Sequence, residues 1–258
     1  MPRRARPSTA MRPARHAPLA CCMYCLASGV PRTEEHLVPR ALGGHRTLGD
    51  AVCEPCRRIT GRHEQATLDR EFAVPKTLLA LKRRRARADG PKRLPAVTLA
   101  GDERPSALTA ATFPRAFALP AFDRAGLLWP RADDAPPRIE FIACRLDLGS
   151  PSHDAVAAPP SLPDPFAYAH SIAKWAFALA VAERGLEACD LQPMRDLMLG
   201  RRDDVFAFVG NPSPRPAVPR DWLHDITLRD ERGWLVATLA LFASAGMTPY
   251  EVVIGPLG

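Results

Sequence analysis

Apolar positions recur along this chain with two different periods. From Pro165 to Arg184 they return at three- and four-residue spacing, at Ile172, Trp175, Ala176 and Leu179, which predicts a long helix. Asp164 stands where an N-cap side chain is needed, Pro165 suits the first helical position, and Gly185 supplies the stop. A shorter helix is expected around Leu191–Leu199, closed by Gly200. The C-terminal sixty residues read as strands instead. "VFAFVG" at 205–210 is one. Ile226 and Leu228 alternate before "DERG", where a hairpin turn leads into a second strand, and "YEVVIG" ends the series. Upstream, a helical stretch runs through "QATLDREFAVPKTLLALKRRRAR", with an interruption expected at Pro75. Between these regions, "AVTLA" and "RIEFIACRLDL" read as strands within the Pro-rich stretch 94–163. The predicted class is α+β. Its parts are a basic disordered arm (1–20), a compact cysteine-bearing block (21–72), a basic helix and linker (73–93), and an α+β domain with a long helix and a C-terminal antiparallel sheet (94–258).

Charge sharpens this division. Residues 1–93 hold 20 Lys+Arg against 8 Asp+Glu, whereas residues 94–258 hold 15 against 20. Positive charge confined to one third of a chain is expected where that third meets a polyanion. Its densest run is Lys82, Arg83, Arg84, Arg85 and Arg87, and Arg57 and Arg58 add to it. The apolar patch at Leu19–Met23 is too short for a secretory signal, and "WAFALAVA" at 175–182 is too short to span a membrane. A cytoplasmic protein with no membrane partner is expected, and in a reducing compartment paired cysteines favour metal over disulfides.

Cys22-x2-Cys25 and Cys53-x2-Cys56 carry the strongest chemical signal. Each pair offers two thiolates from one tight turn, so two such turns can close a tetrahedral zinc site. Cys21 could stand in for Cys22 but lacks the two-residue spacing. A closed four-thiolate site has no open position for substrate, so this zinc is expected to be structural. Any catalysis must use residues inside the loop it closes, where "TEEHLVPRALGGH" (33–45) lies. His36 could act as a base near neutral pH, and Glu34, Glu35 or a nearby carboxylate could hold a hard cation such as Mg2+. Gly43 and Gly44 allow a sharp turn into a strand over about Thr47–Val52. An ordinary surface strand would carry the same residues without chemistry.

The run "CMYCLASGVPRTEEHLVPRALGGHRTLGDAVCEPCRRITGRHEQ" resembles the HNH endonuclease family in its zinc-stabilised four-cysteine form, specifically over about Cys22–Phe72. "AHSIAKWAFALAV" and "ALFASAGMTPYEVVIG" resemble, more loosely, the C-terminal parts of bacterial proteins carrying such modules. The resemblance implies a ββα-metal finger. It implies His36 as general base, Glu35 as ligand of a catalytic Mg2+ or Mn2+, and the four cysteines as structural zinc ligands. Asp50 falls near the family's central Asn. The pattern breaks at Arg57, where many members place a second metal-binding Asn or His. Glu64, and less readily His63, are the available replacements on the following helix, although Glu64 lies two turns beyond Arg57, about 10 Å along the axis. The expected activity is metal-dependent hydrolysis of DNA, with phosphate contacts from Arg57, Arg58 and the 82–87 run. The alternative is a non-catalytic zinc finger that binds nucleic acid.

Overall fold

A computed structural model describes residues 14–78, 93–98, 106–109, 116–130, 136–145, 155–157, 163–214, 223–243 and 247–258. The class is α+β, as predicted, with a cysteine-bearing turn leading into a ββα element. That element is a hairpin of β2 (Arg32–His36) and β3 (Arg46–Cys53) followed by α1 (Glu54–Asp69). The pairing Glu35↔Leu48 and His36↔Thr47 slips between Thr33 and Glu35. Opposite Glu34 the β3 strand carries Asp50 at φ 43°, a left-handed conformation that a short polar side chain tolerates. Arg32 locks this bulge, donating from Nε to the Asp50 carbonyl (2.9 Å). In the loop between the strands, a Cβ on Gly44 would collide with the Val38 backbone, so only glycine fits.

The expected disordered arm of residues 1–20 is corrected at its C-terminal end. Ala14–His16 forms β1, parallel to β3, and Leu19 N–H donates to the Gly49 carbonyl (3.1 Å). The open edge of β3 otherwise leaves its backbone groups unpaired, which explains why these residues are recruited. Residues 1–13 lie outside the described residues.

The helical run after α1 breaks at Arg70–Phe72 rather than at Pro75. Helix α2 (Ala73–Leu78) then begins, with Pro75 in its first turn, where no N–H is required. The predicted run Lys82–Arg87 lies outside the described residues. Strands β4 (Arg93–Thr98) and β7 (Ile139–Arg145) match the two read from sequence in this region. They join β5 (Ser106–Thr109), β6 (Ala116–Phe122) and β8 (Ala155–Ala157) in a sheet ordered β5-β4-β8-β6-β7.

Helix α3 (Pro165–Arg184) starts where expected. The Asp164 side chain accepts from Ala167 N–H (3.0 Å), and Gly185 ends the helix at φ 83°. Every residue from Ala167 to Val181 except His170 is buried, so α3 is a central rod rather than a surface helix. Helix α4 (Gln192–Met198) follows. "VFAFVG" is not one strand. Val205–Phe208 forms the single turn α5 and only Val209–Gly210 pairs, as β9. A short apolar run has no period that separates buried helix from buried strand. The hairpin of β10 (His224–Glu231) and β11 (Trp234–Leu241) turns through Arg232 and Gly233, both at positive φ, as a two-residue type I′ turn requires. With β12 (Tyr250–Pro256) it completes the antiparallel sheet β10-β11-β12-β9.

The core does not respect the boundary expected near residue 72. One continuous cluster of buried residues joins Met23, Tyr24, Leu37, Leu48 and Phe72 to Tyr168, Trp175, Phe177, Val252 and Ile254. A unit of about fifty residues buries only a modest share of its surface by itself, and here α3 supplies a further wall. Phe72 stacks on Tyr168 (5.4 Å between centroids), and Ser171 Oγ donates to Thr67 Oγ1 (2.9 Å). Among the described residues no helix is long and apolar enough to cross a membrane.

Candidate metal centre

The first cysteine pair sits in a tight turn. Cys22 N–H donates to the Ala27 carbonyl (2.9 Å), Leu26 N–H donates back to Cys22 (2.8 Å), and Leu26 takes φ 60°. The second pair spans the strand-to-helix junction. Cys53 ends β3 and caps α1, and Cys56 falls in the first helical turn. Met23 N–H to the Ala51 carbonyl (2.9 Å) ties the two turns together. Buried Arg195 of α4 donates from Nε to the Met23 carbonyl (3.1 Å), so the C-terminal half also braces the turn.

The four sulfurs lie within 4.8 Å of one another and could hold a metal ion. Cys25 Sγ and Cys53 Sγ are 3.6 Å apart, close to the edge of about 3.8 Å that a tetrahedron has when its metal–sulfur bonds are about 2.3 Å. Burial alone pushes the Cys22 thiol up, but backbone N–H groups of Cys25, Cys53 and Tyr24 bring it down to about 7, toward the thiolate that a metal requires. Cys22, Cys53 and Cys56 are buried and Cys25 is exposed. Donor set, spacing and turn geometry all fit a structural metal.

The second candidate site is filled from within. Glu35 is buried on β2, and Glu64, one face of α1 away, approaches the same point. What lies between them is the ammonium of Lys174 from α3, 3.0 Å from Glu35 Oε1 and 2.7 Å from Glu64 Oε2. Trp175 Nε1 donates to the other Glu64 oxygen (2.7 Å). Burial disfavours the charged lysine, but Glu35 and Glu64 outweigh it and hold the ammonium pKa above its usual value. Burial pushes the Glu35 carboxyl up, with Lys174 opposing and the Glu64 charge reinforcing the shift. The residues therefore do not fit a catalytic divalent ion as they stand, because a cation already bridges the two carboxylates.

The other predicted residues are dispersed. His36 is half-buried, and strand alternation sends it to the face opposite Glu35. Arg57 points into solvent and forms a two-pronged pair with Glu54 (2.7 and 3.0 Å), which Arg58 also joins (2.9 Å). Those arginines hold the exposed Glu54 carboxyl down at about 2. His63 is exposed and stacks on His170 (4.5 Å), whose pKa burial and the neighbouring imidazole lower to about 4. Glu34 is exposed. Lys174, Trp175 and Arg195 were missed in the sequence. Lys174 did leave one signal there, as the lone charge within the apolar run from Ile172 to Val181.

Fold and site together define the class of protein: an α+β chain whose ββα element is closed by four cysteines able to hold a metal ion and is braced by a buried carboxylate–ammonium–carboxylate cluster. No protein-family model matches the chain, and no curated protein or solved structure matches it significantly.

Proposed function

We propose that this protein is a zinc-stabilised ββα module that binds nucleic acid, DNA in the first instance, without cleaving it. The observation that carries the reading is the position of Lys174: the two carboxylates best placed for a hydrolytic metal are bridged by its ammonium. Zinc is the natural occupant of the four-thiolate site, since it accepts sulfur ligands in tetrahedral geometry without redox chemistry. Charge distribution supports binding. Residues 14–78 hold nine Lys+Arg against seven Asp+Glu, so the ββα body is nearly neutral. The excess positive charge flanks it, with four arginines in residues 1–13 and seven Lys+Arg in residues 79–93. Such charge can follow a phosphate backbone while the metal-braced body fixes its origin.

Salt-dependent binding to a labelled DNA duplex tests the reading. Affinity should fall steeply with salt, and replacing Arg83, Arg84 and Arg85 with alanine should make the log–log slope shallower by about 3. A flat salt profile would sink it. A second reading, the metal-dependent nuclease with His36 as base and Glu35 as ligand of Mg2+ or Mn2+, is favoured by the convergence of Glu35 and Glu64 on a single cation. Plasmid nicking with either metal that disappears in His36→Ala would establish that reading and overturn the first.

A further inference from the structure

The sheet β10-β11-β12-β9 ends at β10, and no described strand lies against its outer edge. The hairpin turn fixes which backbone groups face that edge. Glu231 and Trp234 flank the two-residue turn and form the hydrogen-bonded pair that closes it. Bonded and non-bonded pairs then alternate, so the backbone groups of Asp225, Thr227, Arg229 and Glu231 point inward to β11. The Leu223 carbonyl, in the same phase, accepts from Ala243 N–H (2.9 Å). The N–H and C=O groups of His224, Ile226, Leu228 and Asp230 therefore point outward. This open edge is eight residues long, and such an edge is a template for another strand.

Charges usually blunt an open edge, but those on β10 are complementary to themselves. Asp225, Thr227 and Arg229 alternate along its outer face, with Thr227 exposed. Asp225 forms no ion pair or side-chain hydrogen bond among the described residues. Arg229 meets Glu231 (2.6 Å) and Glu251 (3.4 Å), and its side chain is 37% exposed. A second copy of β10, laid antiparallel about a two-fold axis through Thr227, sets Asp225 of each copy opposite Arg229 of the other. It also sets Ile226 opposite Leu228, whose backbone groups both point outward, and it covers the partly buried Leu228. Other registers fail. A one-residue shift sets outward backbone groups against inward ones. A two-residue shift sets Asp225 opposite Glu231 in one direction, a like-charge pair that destabilises, and opposite Thr227 in the other.

We propose that the protein associates with a second copy of itself through β10, joining two four-stranded sheets into one about a two-fold axis at Thr227. Such a contact closes after two copies. It leaves only the two-residue β9 at each end of the joined sheet, so addition stops there. The inference does not depend on nucleic-acid binding, and its test contains none.

Sedimentation velocity on a dilution series of the zinc-replete full chain should show a monomer–dimer equilibrium. Asp225→Arg places like charges opposite each other twice and should raise the dissociation constant by about tenfold or more. Thr227→Cys gives an independent readout. A non-hydrogen-bonded pair brings its Cα atoms to about 4.5 Å, within disulfide range. Oxidised glutathione should therefore link the two introduced thiols, being itself reduced to two glutathione thiols. Asp230→Cys is the control, because its two copies lie about 20 Å apart in this register. A monomer at every concentration up to about 100 μM would overturn the proposal. So would a dimer that Asp225→Arg leaves as tight as wild type, or a Thr227→Cys chain that links no faster than Asp230→Cys.

Discussion

His224 should make the fold acid-labile, and its hydrogen bonds say by how much. It lies buried at the start of β10, with Nε2 2.7 Å from the Leu42 carbonyl and Nδ1 accepting from Phe242 N–H (3.2 Å). A carbonyl accepts and an amide donates, so these partners select the neutral ring with its hydrogen on Nε2. A proton on Nδ1 would confront the Phe242 N–H in a dry site. Burial pushes the pKa down from 6.5 to about 4, and the Leu42 carbonyl opposes only in part. Unfolded, the ring takes up a proton near 6.5. Between these values the unfolded chain binds more protons than the folded one, so stability rises with pH across that window. The contribution is complete above about 6.5 and is lost as pH falls through about 4. At about 1.4 kcal/mol per unit it reaches about 3 kcal/mol. His170, also lowered to about 4 but less buried, adds a smaller term of the same sign. Urea melts at pH 7.5, 6.5, 5.5 and 4.5 on wild type and His224→Gln would isolate the effect, because acid release of metal from the thiolates is common to both. The stability difference should shift by about 2.5 kcal/mol in the variant's favour between the ends of the series, because the lowest pH still lies above the folded pKa. Parallel pH profiles would refute the reasoning, as would an NMR titration of His224 near 6.5.

Three further outcomes are expected. Cys53→Ser should remove the metal, reducing bound zinc measured by elemental analysis to the level of the chelated protein, and should lower the melting temperature. Gly44→Ala, which sets a methyl group against the Val38 backbone, should destabilise by about 3 kcal/mol in chemical denaturation. Deleting residues 1–13 should leave the melting temperature unchanged, whereas deleting 1–20 removes β1 and the Leu19 contacts and should lower it. Equal effects of the two deletions would show that β1 contributes nothing.

Elements with a strong local signal were legible in the sequence. Asp164, Pro165 and Gly185 bounded α3 to the residue, and the positive-φ pair Arg232–Gly233 lies in the turn read as "DERG". Errors fell where local preference was overruled or ambiguous. The arm at 14–16 looked too basic and Pro-rich to fold, yet a strand edge recruited it. The apolar run 205–210 carried no period to distinguish α5 from strand. Pro75 looked like a helix breaker but sits where a helix begins.

The metal-capable site was readable because each cysteine pair is local and two residues apart, so only the meeting of the two turns needed tertiary structure. The carboxylate cluster was half readable. Glu35 and Glu64 could be picked out within one block, but Lys174 is 110 residues beyond Glu64 and arrives on a different element. Its chemistry can only be weighed once its neighbours are known, because an ammonium and a divalent ion ask the same thing of two carboxylates. Glu34 and Glu35 lie in the arginine-rich third of the chain. Arg32 is committed to the backbone carbonyls of Asp50, Val30 and Leu19, Arg57 and Arg58 turn to Glu54, the flanking runs hold the surplus charge, and the buried Glu35 finds its counter-ion in the apolar helix that completes its core. A lone lysine in an otherwise apolar helix therefore marks a buried carboxylate elsewhere in the fold, since burying its charge unpaired would cost more than the helix could recover.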